Sequence, residues 1–231
     1  MPSSVLTMHT TPLQEVRIPA GEAWLYGDLG LPAEFIGLVL FAHGSGSGRH
    51  SARNRLVAQR LQQAGIATLL FDLLTVQEEE VDAHTRQHRF DIALLTRRME
   101  EATLWAAAQP AVQGLPIGYF GASTGSAAAL IAAAQLGQRV AAVVSRGGRP
   151  DLAGSAALAA VTAPTLLVVG SLDREVLALN EQALAHLQCE KRIAIVPGAT
   201  HLFEEPGTLE QAATLAAAWF SRHLLRTEQL A

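Results

Sequence analysis

The chain has 231 residues, 49% of them hydrophobic and 16% charged; this length and apolar content support a sizeable core, and domain size favours one domain over two. A formal net charge of -4 and a pI near 6.1 give no basic face on which nucleic-acid phosphates would sit, so a small-molecule partner is expected. No apolar run reaches the roughly 18 residues of a membrane span, and Met1 to Pro12 lacks the basic-then-apolar pattern of a signal peptide, so a cytoplasmic protein with no membrane partner is expected.

Residues 1–12 read as a flexible start, and residues 13–231 as a single α/β domain in which short β-rich runs alternate with longer amphipathic stretches. Leu13 to Ile18 and Ala23 to Leu29 predict an antiparallel pair at the sheet edge, joined through Pro19, Ala20 and Gly21. Ile36 to Ala42, Ile66 to Phe71, Ile117 to Phe120 and Val140 to Val144 are almost continuously apolar, the mark of parallel strands buried on both faces. Thr165 to Val169 and Arg192 to Val196 complete a mostly parallel eight-stranded sheet. Helices are predicted at about Arg53 to Gln63, Phe90 to Ala108, Ser123 to Gln135, Glu175 to Leu187 and Leu209 to Leu225, with Gly65, Pro110 and Gly137 at stop positions. Alanine clusters such as Ala127 to Ala129 are helix formers that permit close helix-to-sheet packing. Leu73 to Arg89 is the least regular stretch and reads as a loop or a small lid. Cys189, the single cysteine, allows no internal disulfide and reads as a small space-filler.

Gly121-Ala122-Ser123-Thr124-Gly125 follows a predicted strand and opens an alanine-rich helix, the strand–turn–helix context in which Gly-x-Ser-x-Gly presents a nucleophilic serine. The bland alternative is that Ser123 is only a helix N-cap. A serine hydroxyl is a weak nucleophile at neutral pH and needs a base and a group to orient that base. Asp173 lies beyond one later strand and His201 beyond the next, in the order Ser, Asp, His and each just past a strand's carboxyl end, where open α/β sheets bind ligands. Taken singly, Asp173 reads as a turn or cap residue and His201 as a solvated loop histidine. The Thr124 N–H at the helix start is one expected oxyanion donor. The loop His43-Gly44-Ser45-Gly46-Ser47-Gly48 should supply the other, from Ser45 with Gly46 as fallback, while His43 ties the loop down.

These motifs, with Leu172-Asp173-Arg174 and Ala199-Thr200-His201, resemble the dienelactone-hydrolase-like branch of the α/β-hydrolase superfamily over nearly the whole chain. The resemblance implies a single domain with little or no cap and a Ser or Cys nucleophile at the elbow. It also implies hydrolysis of esters, lactones or related acyl compounds without a cofactor. Those roles fall by position on Ser123, Asp173 and His201. Ser123 and Gly44 depart from dienelactone hydrolases proper, which carry cysteine at the elbow and an acidic residue after the loop histidine.

Arg146 follows the sixth strand and is a candidate to hold an anionic group of the substrate; the competing reading pairs Arg146 or Arg149 with Asp151 or Asp72. Gly46 is a further candidate at the substrate. His84 and His88 have a spacing that suits a metal on a helix face, but no Cys or His-Glu-x-x-His pattern accompanies them and no metal is expected. One rival is a nucleotide-binding protein, in which Gly44, Gly46 and Gly48 with Asp72 imitate a dinucleotide fingerprint but give G-x-G-x-G instead of G-x-G-x-x-G. Another is a hydrolase-fold protein that binds a small ligand with slow or no turnover.

Overall fold

The apolar runs of the sequence form the interior of one sheet, in which strands covered by helices on both faces need no polar alternation. A computed structural model describes residues 11–225, so residues 1–10 of the expected flexible start lie outside the described residues. The strands are β1 (Leu13–Ala20), β2 (Ala23–Gly30), β3 (Leu38–Ala42), β4 (Ala67–Phe71), β5 (Ile117–Ala122), β6 (Val140–Arg146), β7 (Thr165–Gly170) and β8 (Lys191–Val196). They form an eight-stranded sheet in the order β1-β2-β4-β3-β5-β6-β7-β8. The β1–β2 and β2–β4 pairs are antiparallel and all others parallel. The helices are α1 (Ala52–Gln63), α2 (Val76–Thr85), α3 (Ile92–Ala107), α4 (Thr124–Leu136), α5 (Gly154–Ala160), α6 (Arg174–His186) and α7 (Thr208–His223).

The period of two along β3 divides the core into two layers. Leu38, Leu40 and Ala42 join Met99 of α3 and Ala128 and Ala129 of α4 on one face. Val39 and Phe41 join Val57 and Leu61 of α1 and Ala213 and Phe220 of α7 on the other. The alanines of α4 let it lie close to the sheet, and Ala127, Ala128, Ala129, Ala132 and Ala133 are fully buried. Phe41 stacks against Phe120 at 5.0 Å between ring centroids, and truncating either ring would cost about 3–5 kcal/mol in a core this closed.

Three local differences separate the structure from the sequence reading, and the first two have identifiable causes. β1 runs through Pro19 to Ala20, and the turn is Gly21-Glu22, with Gly21 at φ 63. Proline is tolerated there because β1 is an edge strand and Pro19 needs no N–H toward solvent. The stretch expected as a loop or lid contains α2. Its start is a capping box, in which Thr75 Oγ1 accepts the Glu78 N–H (3.2 Å) and the Glu78 carboxylate accepts the Thr75 N–H (2.8 Å). Glu78 also pairs with Arg98 of α3 at 2.8 Å, and the buried Asp82 carboxylate accepts the His88 and Arg89 N–H groups and Arg89 Nε. The third difference is α5, a short alanine-rich turn of helix.

β4 and β5 flank β3 on opposite sides, so the chain leaves β3 and β5 in diverging directions. The crevice this opens at the carboxyl ends of the strands is the place where open α/β sheets bind ligands. Both the glycine-rich loop after β3 and the turn after β5 lie on it.

Candidate active site

Ser123 stands between β5 and α4 at φ 48, ψ -124, a conformation that costs a non-glycine residue about 1–3 kcal/mol. The surroundings enforce it. Ser123 N–H reaches the Arg146 carbonyl (3.4 Å), and the Ser123 carbonyl accepts N–H groups from Ser126 (3.1 Å) and Arg149 (3.0 Å). Gly121 and Gly125 are required by close approach: a Cβ at Gly121 would lie 2.5 Å from Ser126 Cα, and one at Gly125 would lie 2.2 Å from the Ala42 carbonyl oxygen. Ser123 is the N-cap residue of α4, yet its side chain makes no capping bond, so the N-cap reading does not describe it.

Asp173 occupies the N-cap position of α6 and also makes no side-chain cap. Its Oδ2 instead lies 2.7 Å from His201 Nδ1, an acceptor that favours the proton on Nδ1 and leaves Nε2 with its lone pair. Asp173 comes from the turn after β7 and His201 from the turn after β8, and Leu172 N–H donates to the Ala199 carbonyl (3.0 Å), joining the two turns. Ser123 and His201 line one cavity of about 230 Å³, together with Ser45, Arg53, Arg146 and Leu202.

The loop after β3 is fixed as expected. His43 Nε2 accepts the Leu73 N–H (3.0 Å), and Nδ1 faces the Gly44 carbonyl (3.0 Å); burial lowers the His43 pKa and keeps the ring neutral. The expected second oxyanion donor is engaged elsewhere, however. Ser45 N–H donates to Thr124 Oγ1 at 3.0 Å, because the hydroxyl of the residue after Ser123 reaches across to the loop. Thr124 N–H stands at the first position of α4, where no intrahelical acceptor exists. Gly46 lines a larger groove of about 860 Å³ and is absent from the lining of the Ser123 cavity. The groove adjoins the cavity through Ser45, Ser47, Ser51 and Arg53, and its far wall is α2, through Val76, Glu79, Glu80 and Ala83.

The competing pairs around Arg146 separate cleanly. Arg149 holds Asp151 with two contacts, at 2.8 and 2.7 Å. Asp72 accepts the Arg49 N–H (2.8 Å) and faces Arg49 Nε (3.3 Å), which anchors the glycine-rich loop. Arg146 has neither partner. α2 ends at Thr85, with Arg86 in the left-handed region, so His84 and His88 share no helix face. No group of three or more His, Cys, Asp or Glu suited to a metal occurs among the described residues, and no described helix is long and apolar enough to cross a membrane. Cys189 is a half-buried free thiol beside the core.

A family profile described as an alpha/beta hydrolase domain matches residues 36–221. The chain belongs to the α/β-hydrolase family. It is similar, at 56% identity and a TM-score of 0.91, to a dienelactone hydrolase from Anabaena variabilis, with 94% of this chain and 100% of that one covered. That similarity places it in the dienelactone-hydrolase-like branch. Two more distant structures share the fold: Est1E from Butyrivibrio proteoclasticus, 16% identical with a TM-score of 0.76 over 90% of this chain and 98% of that one, and the lidless serine hydrolase XC6422 from Xanthomonas campestris, 20% identical with a TM-score of 0.73 over 94% and 98%. Curated relatives from Mycobacterium tuberculosis are 56% identical over 211 residues and carry a provisional phosphoribosyl transferase name; the match covers 91% of this chain but 46% of theirs. The chain thus spans about half the length of those relatives.

Sequence reasoning passed over Arg53, Phe203 and Asn180. Arg53 sits at the start of a helix and gave no signal. Phe203 takes φ 57 two residues beyond His201, which only the fold dictates. Asn180 of α6 donates to the Gly148 carbonyl (2.9 Å) and so holds the loop behind the elbow.

Proposed function

We propose that this chain is a serine hydrolase that cleaves a small ester or lactone through an acyl-enzyme, with Ser123, His201 and Asp173 as its triad. The observation that carries the reading is the 2.7 Å contact from Asp173 to His201 in a cavity that also exposes Ser123 at a strained elbow. His201 Nε2 takes the Ser123 proton as Oγ bonds to the acyl carbon. The tetrahedral intermediate collapses with that proton delivered to the leaving oxygen, and water then enters by the same route in reverse to release the acid and restore Ser123. Asp173 holds the imidazole in its Nδ1–H form and stabilises the imidazolium. Thr124 N–H, at the positive end of α4, faces the developing oxyanion, and Ser45 N–H joins it once Thr124 Oγ1 releases it.

The transferase name of the Mycobacterium tuberculosis relatives belongs to proteins of which this chain spans 46%. We assign it to the part that this chain does not span, because the triad supports acyl chemistry. The reading is tested by mass spectrometry after a fluorophosphonate probe, beside 4-nitrophenyl acetate hydrolysis, for the wild type and Ser123→Ala. A single adduct on Ser123 and loss of turnover in the variant are expected. A folded wild type that neither reacts nor turns over would point instead to a ligand-binding protein on the same fold.

A further inference from the structure

We propose that Asn180 of α6 is a positioning residue for Ser123, keeping it in its strained backbone shape through one intervening peptide plane, that of Gly148 and Arg149. The proposal rests on the serine-hydrolase reading above and names a further residue on which that reaction depends.

Asn180 is fully buried, and its Nδ2 donates to two carbonyls, those of Gly148 (2.9 Å) and Val176 (2.8 Å). Two acceptors facing one end of an amide identify that end as the N–H₂. The bond to Val176, four residues back, ties the side chain to its own helix, so the loop is held from a rigid base. The Gly148 carbonyl and the Arg149 N–H belong to a single planar peptide. Arg149 N–H in turn donates to the Ser123 carbonyl at 3.0 Å. Asn180 therefore sets the tilt of a plane whose opposite edge grips Ser123, and hydrogen bonds in such a chain polarise one another. The peptide of Arg146 and Gly147 does the same at the other end of Ser123. Its carbonyl accepts the Ser123 N–H (3.4 Å), and its own N–H donates to the Val168 carbonyl (2.8 Å). Ser123, at φ 48 and ψ -124, is thus held at both its N–H and its carbonyl by one loop, which is tied to β7 on one side and to α6 on the other.

Packing alone gives no reason for an asparagine at this position. Asparagine is a weaker helix former than leucine, and Asn180 Oδ1 is buried with no partner among the described residues, which costs stability. What the amide supplies is a donor aimed at the loop. The same helix carries Asp173 at its N-cap. Asn180 follows seven residues later, close to two full turns, so the two residues lie along one side of α6. One helix thereby spaces the acid that orients His201 and the amide that orients Ser123. The loop also adjoins the turn of the base, since a Cβ on Gly147 would lie 3.0 Å from the His201 carbonyl oxygen.

The test reads geometry and turnover separately in Asn180→Leu, which nearly keeps the volume and removes the donor. Leucine eliminates one unpaired oxygen and leaves another at Gly148, so the thermal midpoint is expected within about 4 °C of wild type. Amide exchange at Arg149, followed by NMR, should speed up about 10-fold or more, the equivalent of one lost hydrogen bond. For 4-nitrophenyl acetate, kcat should fall about 10–100-fold, the scale of a small misplacement of a reacting group, with KM changed by less than about threefold. Fluorophosphonate labelling of Ser123 should slow alongside kcat. Asn180→Ser, whose short hydroxyl bonds back to the Val176 carbonyl and not to the loop, should behave likewise and carries the test if the leucine variant does not fold. Unchanged exchange at Arg149, unchanged kcat, or a loss of kcat that only follows the folded fraction would overturn the proposal. Faster exchange at Arg149 in a variant of a protein whose wild type turns over no ester would leave the hold of Asn180 on Ser123 standing and remove the hydrolase reading alone.

Discussion

Asp173→Asn isolates the charge of the proposed triad from its shape. Asparagine preserves the volume beside His201 but replaces the acceptor 2.7 Å from Nδ1 with an uncharged amide. In the transition state His201 becomes a cation, and unit charges about 4 Å apart at an effective dielectric near 20 attract by about 4 kcal/mol. The Asp173 side chain is 14% exposed and that of His201 38%, so water screens part of this. About 3 kcal/mol remains, equivalent to roughly 10²-fold in rate. The amide can also turn its N–H₂ toward the ring and hold the wrong tautomer, which brings the expected loss in kcat/KM to about 10³–10⁴-fold. Stability should change by less than about 1 kcal/mol, because Asp173 makes no side-chain cap to α6 and only its charge near the helix start is lost. The assay is 4-nitrophenyl ester hydrolysis, with thermal unfolding of the same preparations. Activity within about tenfold of wild type, in a folded protein, would refute the assignment of Asp173 and the electrostatic argument with it.

Gly125→Ala places a methyl group 2.2 Å from the Ala42 carbonyl oxygen and 2.4 Å from that of His43; backbone cannot yield as a side chain would, so unfolding at least about 3 kcal/mol easier and loss of esterase activity are expected together. His43→Ala leaves the buried Leu73 N–H without its acceptor, a loss of about 1–3 kcal/mol measurable by denaturant titration. Because burial lowers the His43 pKa from its ordinary 6.5, its contribution is complete above that value and declines as pH falls below it. Wild-type stability should therefore drop as pH falls below about 6.5 by a component missing from His43→Ala, and a parallel profile in the two proteins would contradict this. At Asp82, burial raises the carboxyl pKa, but hydrogen bonds from Arg89 and the His88 N–H outweigh it and the net direction is down. Asp82→Asn should cost about 3 kcal/mol and raise hydrogen exchange in α2, the wall of the larger groove.

The parts of the site legible in the sequence were those fixed by local rules. Gly121 and Gly125 mark a turn that no Cβ would survive, and the apolar run before Ser123 marks the strand that carries it. That Asp173 and His201 come close together was legible from strand ends alone, since a parallel sheet delivers every such end to one edge. The helix α2 was missed although Thr75 and Glu78 spell a capping box, because its exposed, glutamate-rich turns have no apolar face to give a period. The state of the Ser45 N–H was beyond reach, since it depends on where the Thr124 hydroxyl lies across the crevice.

Two residues at helix starts, Ser123 and Asp173, decline the bond that such residues ordinarily make. A serine or aspartate N-cap typically stabilises its helix by about 1 kcal/mol, and here Asp173 meets His201 instead while Ser123 lines the cavity. Arg146 follows the same logic in the opposite sense, as a charge held in the core without the partner that would stabilise it. Each is a local departure from the most stable choice, and all three lie at one end of the sheet, Ser123 and Asp173 on the turns after β5 and β7 and Arg146 at the last residue of β6. These three gather at the carboxyl ends of neighbouring strands, where open α/β sheets bind ligands, which is what a site organised for chemistry requires.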